Sequence, residues 1–218
     1  MLGVAAAAML KSIIAICPIL VGLVAIATAA GLVKLPIELW LLDQRVPSIF
    51  RIHMAASGLA MIAIVVTLLL RAQPRWHRPL GRLAAVAILV GATTALPSAL
   101  ASEATIVARL GFASQAIAWL AALTIGVAAI RQRRIAFHRR AMLAMAAIAS
   151  GAIWLRLATV AAVVLDLPFD AVYAITAWAG WIVPLAAVLV VTEWLGASVV
   201  PSSPTTESGQ GAARYGEA

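Results

Sequence analysis

The chain has 218 residues, of which 64% are apolar and only 11% charged, and its mean hydropathy is +1.06. A water-soluble domain carries about a quarter charged residues, so there is too little polar material here to coat a globule, and lipid must be the solvent for most of the surface. The net charge of +8 does not point to nucleic acid, because the basic residues sit in short loops between apolar runs, where they set membrane orientation.

A hydrocarbon core of about 30 Å needs roughly 20 apolar residues in helix. Six stretches meet that length, approximately 12–33, 52–70, 83–101, 110–130, 141–165 and 171–195. They predict an all-α polytopic bundle of about six transmembrane helices within residues 1–199. Nothing alternates with period two, and the runs are too long for barrel strands. The first stretch has Lys11 before it and Ala27-Thr28-Ala29 near its end, features shared with a cleavable signal. Its length and Pro18 favour a retained helix. Cys17, inside that stretch, is the single cysteine, which excludes an intramolecular disulfide and a cysteine metal site.

From Lys34 to Arg51, mixed charges with Trp40, Phe50 and two prolines suit a short amphipathic helix or ordered loop in the membrane interface. Pro97 and Pro184 predict kinks in the third and sixth spans, with Thr93, Thr94 and Ser98 placed to satisfy carbonyls freed near Pro97. Residues 200–218, rich in Ser, Pro, Thr and Gly, read as a disordered tail.

Orientation follows from the loops. Arg71, Arg75, Arg78 and Arg82, then Arg131, Arg133, Arg134, Arg139 and Arg140, fall on one side when six helices alternate. The other side holds Lys34, Arg45, Arg51 and Arg109, diluted by Glu38, Asp43, Glu103, Asp166 and Asp170. The bias places the arginine-rich loops, and with them both termini, in the cytoplasm.

Three histidines carry the chemical signal. His53 opens the second span; His77 and His138 open the third and fifth on the arginine-rich side, each preceded by an aromatic residue and followed by Arg. His53 with Gly58, then H-R-x-x-G-R from His77 to Arg82, then H-R-x-x-M from His138 to Met142, and Arg156 inside the fifth span, resemble a family of bacterial predicted membrane proteins of unassigned function (DUF2306-like). The resemblance covers roughly residues 51–162 and implies the topology and a bacterial inner membrane more than an activity. A second similarity is to transmembrane di-haem cytochromes of the b-561 type, six-helix proteins with ligating histidines on the second and fourth and on the third and fifth helices. It implies one b-type haem, with His77 and His138 as axial ligands to the iron. The other pair is incomplete, since the fourth span has no histidine and offers Ser114 and Gln115 instead.

The chemistry of such a site is coherent. Imidazoles from two facing helices can ligate haem iron, and Arg78, Arg82, Arg139 and Arg140 can pair with propionates at the membrane surface. Trp76 and Phe137 would flank the ring. His53 and Arg156 would then shape a pocket on the outer side, for a quinol or small reductant. Arg156 lies deep in the fifth span, where a cation needs a partner or water; Glu103, Asp166, Asp170 or a bound cofactor are the candidates, and snorkelling to the outer surface is the alternative.

The same residues also fit a non-catalytic protein: one that contacts lipid, an accessory subunit or a small transporter. Histidine, tryptophan and arginine are ordinary interfacial anchors, and helix starts beside arginines attract phosphate headgroups. The sequence has no P-loop, zincin, nucleophile-elbow or c-type haem motif.

Overall fold

The computed structural model describes the backbone of residues 2–197 and the side chains of residues 15–192. Eight helices follow in chain order: α1 Leu2–Ala29, α2 Ile37–Arg45, α3 Pro47–Leu69, α4 Pro74–Ala101, α5 Ile106–Arg131, α6 Ile135–Ala149, α7 Gly151–Val164 and α8 Phe169–Ala197. Among the described residues there is no strand.

Among the described residues, five helical stretches are long and apolar enough to cross a membrane: Pro47–Leu69, Pro74–Ala101, Ile106–Arg131, Ile135–Val164 and Phe169–Thr192. The fourth of these joins α6 and α7. The expected first span falls on α1, whose described apolar part, Ala15–Ala29, is shorter than a crossing. The expected tail, 200–218, lies outside the described residues.

The helices outrun the apolar runs that announce them. α4 begins at Pro74 rather than near 83, and α6 at Ile135 rather than near 141. Hydropathy reports the stretch that sits in hydrocarbon, whereas a helix continues into the interface wherever its backbone can be satisfied. Pro74 starts α4 at a position where a missing N–H loses nothing. The interfacial segment is α2, which lies on the start of α3 and packs Leu42 and Asp43 inward.

α3 and α4 form one antiparallel hairpin, α5 and α6 a second, and α4 packs on α5. α1 lies against α3, and α8 closes the bundle against α5, α6 and α7. The loops after α3 and α5 carry the arginines and define a basic end; α2 and the turns before α5 and α8 lie at the far end. The core is made of small residues and a few large ones: Ala60, Ala63 and Ile64 on α3, Ala84, Ala87 and Ile88 on α4, Trp119 and Leu123 on α5, Met145 and Ile148 on α6, and Trp181 on α8.

In lipid, helix association rests on close van der Waals packing, and the closest crossings are glycines. A Cβ on Gly58 would stand 2.5 Å from the Gly22 carbonyl oxygen, so α1 and α3 meet backbone to backbone. Gly111 on α5 is similarly tight against Ala177 on α8.

The hydrogen-bond ladder of the fifth span is interrupted at Ser150, whose own backbone stays helical (φ −62°, ψ −17°), an irregularity that sequence reading did not anticipate. The Ser150 hydroxyl donates to the Ala147 carbonyl at 2.7 Å, and Gln115 Nε2 of α5 donates to the Ile148 carbonyl at 2.8 Å. A side chain inserted beside a Ser-Gly pair is a recognised cause of such an interruption. Beyond it, α7 leaves α5 and packs on α8, with a light contact to α1. Near Pro97 the hydroxyls of Thr93, Thr94 and Ser98 donate to the carbonyls of Leu89, Val90 and Thr94 respectively, at 2.7, 2.6 and 2.8 Å.

Candidate functional site

The eight candidate residues divide into two groups. His77, Arg78 and Arg82 on α4 and His138, Arg139 and Arg140 on α6 lie at the basic end. His53 on α3 and Arg156 on α7 lie in the far half.

At the basic end the two hairpins are built alike. His77 Nδ1 donates to the Thr67 carbonyl at 3.1 Å, and His138 Nδ1 donates to the Gly126 carbonyl at 2.8 Å. In each case a histidine in the first turn of the second helix is tied to the helix before it. A carbonyl can only accept, so the proton is on Nδ1 in both rings. The Thr67 carbonyl belongs to the last turn of α3, and the Arg71 amide bonds Leu68 instead of it. His77 therefore satisfies a helix-end carbonyl that would otherwise be orphaned. At Gly126 the approach is tight: a Cβ there would lie 2.0 Å from Met142 Cε.

His53 repeats the device in the far half, donating through Nδ1 to the Gly91 carbonyl at 2.9 Å. A Cβ on Gly91 would stand 2.8 Å from Ser57 Oγ. All three histidines thus bind a backbone carbonyl on a neighbouring helix, and for two of them that carbonyl belongs to a glycine.

The four motif arginines, Arg78, Arg82, Arg139 and Arg140, are exposed, as are Trp76 and Phe137. Arg75 lies over the Trp76 ring, 5.5 Å from its centroid. A shallow, open apolar depression lies along α5, lined by Leu123, Thr124, Val127 and Ala128, with Arg131 and Gln132 at its basic end.

A porphyrin ligated by His77 and His138 would need a flat slot between α4 and α6. Ile88, Leu123, Met145 and Ile148 are buried together in one cluster in the interior those helices share. α4 and α6 pack closely on α3 and α5 and are not a closely packed pair with each other. Each ring is tied through Nδ1 to a carbonyl of its own hairpin, and its free Nε2 keeps ligand chemistry.

In the far half, Arg156 is part-buried, and its Nη1 donates to the Ala152 carbonyl at 2.8 Å. Tyr173 meets Phe112 edge-on at 5.4 Å and stacks on Phe169 at 5.7 Å. None of the three carboxylates considered for Arg156 pairs with it. Glu103 pairs with Arg45, while Asp166 and Asp170 are exposed in and after the turn that follows α7. Nor does the side chain snorkel outward, because Ala152 lies back toward the middle of the span.

Three other far-end arginines are engaged. Arg51 grips Asp43 with two hydrogen bonds of 2.9 Å, and the guanidinium holds the Asp43 carboxyl below the usual carboxylate range. Arg45 and Arg109 donate to the Ala101 and Leu100 carbonyls, closing the C-terminal end of α4. Sequence reasoning missed Tyr173 and the Ser150-Gly151 interruption; the Ser-Gly dipeptide in the middle of a span was the available signal.

A multi-pass helical membrane protein is what this architecture defines. A family model described as a predicted membrane protein (DUF2306) matches residues 50–192, and the chain belongs to that family. The match spans α3 to α8 and so takes in both hairpins and Arg156. No curated protein and no solved structure matches the chain.

Proposed function

We propose that this is a non-catalytic integral membrane protein that holds anionic phospholipid at its basic end. Six spans, both termini in the cytoplasm and a bacterial inner membrane complete the reading; the arginine bias of the loops supports that orientation.

The observation that carries it is the common build of the two hairpins. Each histidine is spent on a carbonyl of its own hairpin, and the arginines that follow stay exposed instead of turning in on a cofactor. Arginine forks suit phosphate oxygens, and a basic side chain near an anionic surface contributes about 1 kcal/mol. The depression on α5 supports the same reading, since an apolar surface with Arg131 at its basic end has the layout of an acyl chain below a headgroup.

Lipid co-purifying in mild detergent, weighed by native mass spectrometry, tests the proposal. Phosphatidylglycerol or cardiolipin should be retained over phosphatidylethanolamine, and Arg78→Gln with Arg139→Gln should lower that retention about thirty-fold, as two lost contacts of about 1 kcal/mol each imply. Unchanged retention sinks the reading. So does a reduced-minus-oxidised haem b band that vanishes in His77→Ala, which would restore the redox alternative.

A further inference from the structure

We infer that Arg156 is the anchor of a second binding site, in the far half of the bundle, for an amphiphilic carboxylate that enters sideways from the bilayer. The site is separate from the headgroup contacts at the basic end and does not depend on them.

The inference starts from the direction of the side chain. Leu165, the cap residue of α7, lies nine residues beyond Arg156, or about 13 Å of helix, which puts the guanidinium near mid-bilayer. An arginine there costs several kcal/mol unless it is paired or hydrated. The usual relief is to reach for the nearer surface. Arg156 does the reverse: Nη1 turns back to the Ala152 carbonyl. One of five N–H donors is thereby used, and no carboxylate among the described residues lies within ion-pair distance of the group.

What surrounds it sets the ligand class. A lone guanidinium presents a planar fork that matches a single carboxylate. The Tyr173 phenol and the His53 ring, whose Nε2 is free once Nδ1 bonds Gly91, are polar groups in the same half of the bundle. Phe112 and Phe169 form an apolar wall around Tyr173. Access is from lipid, because α7 buries only Gly151 and Ala162 and keeps most of its circumference open. A ligand that reaches the site by that route needs an apolar tail, and a small head suits mid-bilayer depth better than a bulky phosphodiester.

The test uses the full chain in phosphatidylcholine nanodiscs with palmitate isotopically labelled at its carboxyl carbon. Its magnetic resonance signal should split into a lipid-dissolved line and a saturable bound line. Arg156→Gln should weaken the bound state about ten-fold or more, the loss expected for a charge-assisted pair. Arg156→Lys should fall between, keeping the charge without the fork, and covers the case in which the glutamine variant fails to fold. Tyr173→Phe should weaken binding a few-fold. The inference is overturned by the absence of a saturable line, by equal binding in Arg156→Lys and Arg156→Gln proteins that match the parent, or by displacement of palmitate by inorganic phosphate or phosphatidylglycerol. Acetate failing to displace palmitate supports the requirement for a tail.

Discussion

α6 and α7 are two halves of one membrane span, yet they are packed by different rules. α6 buries Ala141, Ala144, Met145, Ala147 and Ile148 against α5 and α8, and His138 ties its first turn to Gly126. α7 buries Gly151 and Ala162 and leans chiefly on α8. The change occurs within two residues, where Gln115 takes the Ile148 carbonyl and Gly151 yields room for it: a Cβ on Gly151 would meet Gln115 Nε2 at 2.5 Å. The half made of small residues can close tightly, and the half that carries Arg156 cannot. A charged side chain in the membrane needs space for its partners, and beyond Ser150 the second half packs on α8 and not on α5.

The sharpest way to separate the two regimes is one substitution made in each. Gly58→Ala puts a methyl 2.5 Å from a backbone oxygen of α1 and 3.1 Å from Ala25 Cβ, neither of which can step aside. A loss of about 2–3 kcal/mol is expected, at the upper end of overpacking penalties. Gly151→Ala meets the tip of Gln115, which can swing only by giving up its hydrogen bond to Ile148, and Trp181 Cβ at 3.1 Å, so the loss should be about 1–2 kcal/mol, below that at Gly58. Equal losses in reversible unfolding from mixed micelles would show that α7 is held as tightly as the rest.

The histidine ties come next in size. His138→Ala and His77→Ala should each cost about 1–2 kcal/mol, the value of a hydrogen bond whose removal leaves a carbonyl without its donor. Amide exchange should rise at the hairpin ends and stay unchanged in α7. If exchange in α7 rises as much, the halves are mechanically one unit. Gln115→Leu probes the interruption itself: removal of its hydrogen bond should cost about 1 kcal/mol and speed exchange around residues 149–153.

Much of the fold was legible because hydrophobic runs of membrane length admit few readings. The five crossings among the described residues, the interfacial helix and the basic end all follow from residue type and spacing. The helix starts were not, since the arginines that open α4 and α6 lie outside hydrocarbon while their backbone stays helical. The interruption at Ser150 was hidden because serine and glycine are both tolerated in membrane helices. The histidines were seen as chemically special, but their partners are carbonyls, which no sequence pattern displays. Arg156 was identified by its depth; its inward turn depends on Ala152 and on how α7 tilts, a tertiary fact.

The smallest effect expected concerns the lid that α2 makes over the start of α3, the far-end counterpart of the histidine ties. Asp43 is 7% exposed, and Arg51 holds it by two hydrogen bonds. Its carboxyl is depressed below the ordinary value of about 3.9 that it has in the unfolded chain. The folded state therefore binds fewer protons than the unfolded state across that interval, so the contribution of the pair is complete above the unfolded value and fades as pH falls toward the folded one. Titrated from pH 7 to pH 3, the protein should lose stability on the acid side of about pH 4, and Asp43→Asn should flatten that limb while lowering the plateau. If the two acid limbs run parallel, Asp43 does not fasten α2 to α3. The far end would then be held by apolar contact, the His53 tie to Gly91, the Arg45–Glu103 pair and the carbonyl ties of Arg45 and Arg109, against the paired hairpin clasps of His77 and His138 at the basic end.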